Sequence, residues 1–136
     1  MEVQSSPQRD HPFQALIGPL TSRQRDDGTT GVELKIEHRH LNNFGTAHGA
    51  LLLGFADVCL FEISRKARNG DFCVTVSLTA EFLGPALEGS LLEGYGEVLR
   101  SGRSLLVVRG VAMVDTTPIL SFTGTIKRSA SATTQS

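Results

Sequence analysis

Between Thr30 and Glu37 apolar and polar side chains alternate, with Val32, Leu34 and Ile36 on one face. A period of two marks a half-buried strand. From Ala47 or His48 the pattern changes: Leu51, Leu52, Leu53, Phe55, Val58 and Leu60 place apolar groups around almost the whole circumference. A helix apolar all round is a buried one. Thr46 is its expected N-cap, Glu62 and Lys66 an expected i,i+4 pair, and Asn69-Gly70 its end. Everything after Gly70 alternates again. Val74 to Phe82, Leu91 to Leu99, Ser104 to Val114 and Ile119 to Arg128 read as four strands, with turns at Ser101-Gly102 and Thr117-Pro118. Phe13 to Leu20 is a weak apolar segment, a short helix or first strand. Arg23 to Gly31 reads as a polar turn around Asp27-Gly28. One long apolar helix and about five strands imply an α+β domain in which an antiparallel sheet curls around the helix.

Composition narrows the function classes. A chain of 136 residues fits one domain, here residues 13–128, between a polar flexible segment 1–12 and a Ser/Thr-rich disordered tail 129–136. A net charge of −1 offers no basic field, so no nucleic-acid partner is expected. The stretch from Ala50 to Phe61 is interrupted by Asp57 and too short to span a bilayer, and the N-terminus lacks the apolar centre of a signal peptide. Cys59 and Cys73 form no CxxC pair and read as reduced packing residues of a cytoplasmic protein. His38 and His40 form an H-x-H on one strand face. Without a third ligand at diagnostic spacing, no metal is expected. No serine sits in a G-x-S-x-G elbow, which leaves a serine-hydrolase mechanism without support.

The chemistry concentrates between Leu41 and Asp57. Asn42, Gly45, His48 and Gly49 stand at the head of the buried helix, and Asp57 lies nine residues after His48. Asp57 falls within the apolar ring, where an acid without a partner is costly and calls for a reason. In this spacing the chain resembles the hotdog-fold acyl-CoA thioesterases, in particular the phenylacetate-pathway branch, over roughly Thr30 to Lys127. The family often has a second glycine where this chain has Ala50, which bears on the size of the pocket mouth. The resemblance implies a hotdog fold of five to six strands and hydrolysis of acyl-CoA without a cofactor. It also implies Asp57 as general base or nucleophile, Thr75 holding water near the acid, and His48 and Asn42 positioning the carbonyl or supporting the loop. Arg103 and Ser104 of the hairpin would meet the CoA phosphates.

Elementary physics agrees with these roles. A helix start presents unpaired N–H groups and partial positive charge, and a thioester carbonyl becomes an oxyanion when attacked. Glycine at position 49 lets substrate approach the backbone N–H. The nine residues from His48 to Asp57, however, correspond to about 900° of helix and ~13.5 Å of rise. One chain therefore cannot bring both groups to one carbonyl, and a homodimer, or a dimer of dimers, with shared active sites is expected. Phe55, Phe61, Phe82 and the loop around Phe44 would set the pocket. The alternatives are a non-catalytic acyl-CoA-binding module, in which Asp57 is a structural acid, and a hotdog hydratase.

Overall fold

The computed structural model describes residues 11–129, so the expectations for 1–10 and 130–136 lie outside the described residues. Helix α1 (Pro12–Ile17) leads into strands β1 (Thr21–Gln24) and β2 (Thr30–Lys35), then a 3-10 turn at His38–His40. The long helix α2 (Gly49–Ile63) and the short α3 (Arg65–Arg68) follow. Four strands come next: β3 (Phe72–Phe82), β4 (Leu91–Ser101), β5 (Leu105–Val114) and β6 (Thr117–Ser129). All six strands form one sheet of order β1-β2-β4-β5-β6-β3 with antiparallel neighbours.

The sheet wraps α2 because apolar side chains of both meet in one core. Phe55 and Leu60 of the helix are fully buried, as are Leu92, Leu106, Val108 and Ile126 of the strands. Close approach depends on missing side chains. A Cβ on Gly94 would sit 2.5 Å from the Cys59 sulfur, and one on Gly124 would run into a methyl of Leu60. At Gly96 the obstacle is rigid backbone: a Cβ there would overlap the Arg109 carbonyl oxygen. Gly96→Ala should therefore lower stability by about 3 kcal/mol, the upper part of the range for overpacking. Thermal or urea unfolding checks this, and an unchanged midpoint refutes it.

Several sequence expectations need correction. The helix does not run unbroken to Gly70. The Ser64 hydroxyl donates to the Leu60 carbonyl at 2.6 Å, and a serine bonding back to its own helix interrupts it. The turn redirects the following residues, so Glu62 pairs with Arg65 instead of Lys66. Asn69 (φ 50°) and Gly70 (φ 84°) do end the helical region, in the left-handed conformation.

Strand β1 is hidden in the sequence because its outward face is polar. Arg23 pairs with Glu33 across the β1–β2 ladder at 2.8 Å, and that guanidinium holds the Glu33 carboxyl below its usual range. Charges spaced for a cross-strand pair resemble a solvated turn. His38 and His40 lie on a 3-10 turn, not on a strand face. His40 is buried; its Nδ1 accepts from the Glu37 N–H at 2.9 Å, so its Nε2 donates to the Ile17 carbonyl at 2.7 Å. Among the described residues no helix is long and apolar enough to cross a membrane.

Candidate active site

The loop before α2 is built by Asn42. Its amide oxygen accepts from the backbone N–H groups of Phe44 (2.9 Å) and Thr46 (3.1 Å), and its amide nitrogen donates to the Thr46 hydroxyl at 3.0 Å. These bonds close a tight loop with Gly45 at φ 84° and leave the Phe44 ring 91% exposed. Asn42 thus supports the loop through bonds internal to it. Thr46 is engaged there as well and does not cap the helix.

The N-cap is His48. Its Nδ1 accepts from the Ala50 N–H at 2.9 Å, and its carbonyl accepts the first helical bond, from Leu52 at 3.0 Å. A neutral His48 therefore carries its proton on Nε2, which points a donor away from the helix. The cap also satisfies Ala50, the second helical residue, and leaves the N–H of Gly49, the first, without an intrahelical partner. The backbone of His48 is fixed in turn by its N–H to the His40 carbonyl at 2.8 Å.

About two turns along α2, Asp57 is half-buried and meets β3. The Thr75 hydroxyl donates to Asp57 Oδ1 at 2.6 Å. Among the described residues Oδ2 has no hydrogen-bond partner. The carboxylate is therefore oriented through one oxygen while the other is open to a proton donor. The sequence pattern puts the acid inside an apolar ring; the folded chain by itself leaves it on the partly exposed stripe of α2.

The expected site residues fall into three groups. His48, Gly49 and Ala50 share the helix start with Phe82, whose ring lies 3.6 Å from the position of a Gly49 Cβ. Asp57 and Thr75 form the second group. Arg103 and Ser104 are exposed in the β4–β5 hairpin, toward the far end of the helical segment. Arg128, which the sequence does not single out, ties that hairpin down. Its guanidinium donates to the carbonyls of Gly102 (3.2 Å) and Ala67 (3.2 Å) and pairs with Asp71 at 2.6 Å. An arginine in a strand carries no sequence signal for such a role. Phe55, expected at the pocket, is instead fully buried in the core. Both cysteines are free thiols, and burial pushes Cys59 well above the ordinary thiol range and Cys73 upward. Neither is poised as a nucleophile.

A six-stranded antiparallel sheet curled around one buried helix, with an anion-ready helix start and a carboxylate further along, defines a hotdog-fold domain. The profile of the Thioesterase superfamily matches residues 44–118, and the chain belongs to that superfamily. A Pseudomonas aeruginosa protein whose name assigns it provisionally to the esterases is 36% identical over 98 residues, 71% of this chain and 73% of that protein. Human acyl-coenzyme A thioesterase 13 is 27% identical over 93 residues, 68% of this chain and 66% of its own. Phenylacetic acid degradation protein PaaI from Thermus thermophilus superposes with a TM-score of 0.77 at 25% identity, covering 88% of this chain and 100% of that one. A Bacillus halodurans protein crystallised with CoA gives a TM-score of 0.80 at 22% identity, over 91% of this chain and 82% of its own.

Proposed function

We propose that the protein hydrolyses acyl-CoA thioesters to a carboxylic acid and free CoA, at sites shared between two copies of the chain. The observation that carries this reading is the pair of prepared groups on α2: the uncapped Gly49 N–H and the Thr75-held Asp57 carboxylate. The thioester carbonyl accepts from Gly49 N–H, with His48 Nε2–H beside it. Asp57 takes a proton from water as the water oxygen attacks the carbonyl carbon. The tetrahedral intermediate collapses, the C–S bond breaks, and the proton held by Asp57 passes to the CoA thiolate. Each step calls on an oriented donor or base. Arg103 and Ser104 are the proposed contacts for the nucleotide phosphates, since a guanidinium matches phosphate geometry.

The sheet edge supports sharing. Strand β3 is outermost, eleven residues long, and exposes Val74 and Val76. A long exposed edge strand is a template for another strand. Thr75 and Asp57 lie toward one end of β3, Phe82 and Gly49 at the other. Antiparallel pairing of two β3 strands about a two-fold axis near Leu78 would bring Asp57 of one copy toward the partner's Gly49.

Release of free thiol from a panel of acyl-CoAs tests the reaction. Turnover of at least one acyl class is expected, with no hydration of crotonyl-CoA. Binding of every acyl-CoA without thiol release would make the protein a binding module and Asp57 a structural acid. The names of the thioesterase relatives favour hydrolysis.

A further inference from the structure

Helix α1 lies across the start of α2. The Phe13 ring packs on Gly54, 3.1 Å from the position a Cβ would take there, with Ile17 beside it. Between the two helices is an open-sided cavity of about 440 Å³, a volume within the ~300–1,000 Å³ of small-molecule sites. Phe13, Leu16, Leu41 and Leu51 supply apolar walls, and His48 and Ala50 line it at the helix start. The cavity thus reaches the residues on either side of the Gly49 N–H.

Its outer wall is held in place by the polar chemistry of the following turn. His40 Nε2 donates to the Ile17 carbonyl at 2.7 Å, and the Arg39 guanidinium donates to the carbonyls of Leu16 and Gly18. These bonds satisfy the C-terminal carbonyls of a six-residue helix that is too short to persist alone. Yet Phe13 and Leu16, the side chains so positioned, remain 54% and 69% exposed. A helix fixed by carbonyl contacts that displays large apolar groups over a cavity is a wall awaiting an apolar occupant.

We propose that this cavity takes the acyl chain and that Phe13 and Leu16 set the longest acyl group accommodated. The proposal rests on the Gly49 N–H as the carbonyl site, because that contact fixes where the acyl chain begins. From there the chain runs past Ala50 and along Leu51 and Leu41, and ends against α1. Gly54 permits the Phe13 ring to lie close against α2 and so defines the depth of the cavity.

The test measures affinity, by calorimetry, for S-alkyl-CoA thioethers of increasing chain length, which cannot be hydrolysed. In the wild type, affinity rises about fourfold per methylene and then levels off when the chain reaches α1. Phe13→Ala moves that plateau about two carbons longer and strengthens binding of the longest thioether about fifteenfold, the gain of two methylenes. Leu16→Trp, at an exposed position, moves it shorter. A plateau common to all three proteins overturns the proposal, as does dissociation of the oligomer by Phe13→Ala with the plateau unmoved, which would make α1 a subunit contact. Absence of any thioether binding also overturns it. Chain-length-dependent binding in a protein that releases no thiol would sink the hydrolase reading while leaving this one standing.

Discussion

Asp57→Asn should lower kcat about a thousandfold, the middle of the range for a lost general base, while KM changes less than about threefold. The physical basis is local. Asparagine has nearly the same shape, and its amide oxygen can still accept from the Thr75 hydroxyl that now holds Oδ1 at 2.6 Å. What disappears is the ability to take a proton from water. The helix should remain intact, because Asp57 is half-buried and its one side-chain bond survives the change. Steady-state thiol release with circular dichroism of the variant checks both parts. Retention of about a tenth or more of the activity would remove Asp57 from the reaction, given the losses expected for a general base.

Two inactive variants should restore one another when mixed. Gly49→Pro deletes the proposed oxyanion donor itself, since proline has no N–H. The first helical position tolerates proline, and His48 before it has φ −64° and ψ 140°, the extended conformation a following proline prefers. The added Cβ meets the Phe82 ring at 3.6 Å, an ordinary contact. Alone, Gly49→Pro should cost about 10²–10³ in kcat. Exchange with Asp57→Asn by unfolding and refolding forms heterodimers in which one site combines an intact Gly49 with the partner's Asp57. Random pairing then recovers about a quarter of wild-type activity. A mixture that stays inactive while mass measurements show heterodimers would place each active site within one chain.

Much of this protein is determined by sequence alone. The period-two alternation dictates which side chains of β5 and β6 face the core, because a one-residue slip would reverse every one of them. In β3 it does not, since a bulge between Thr75 and Ser77 breaks the alternation and leaves Val74 and Val76 exposed. The all-round apolar character of Leu51 to Leu60 requires a buried helix, and a sheet curled around it is the simplest way to bury one. The spacing of His48, Gly49 and Asp57 places a donor at the helix start and an acid about two turns away, whatever the surroundings.

Only the tertiary structure decided the rest. Threonine is the better capping residue by type, yet His48 caps α2 because the Asn42 loop consumes the Thr46 hydroxyl. The polar strand β1 becomes visible only through Arg23 and Glu33 meeting across a ladder. The break at Ser64 depends on a hydroxyl turning back on its own helix, and the clasp at Arg128 on carbonyls far away in the chain. Helix α1, too weak in pattern to assign, gains its position from Arg39 and His40, which reach back to it from the turn after β2. Sequence periodicity reports which face of an element is apolar. Which polar group finds which partner is a property of distances between elements, and those exist only once the chain has folded.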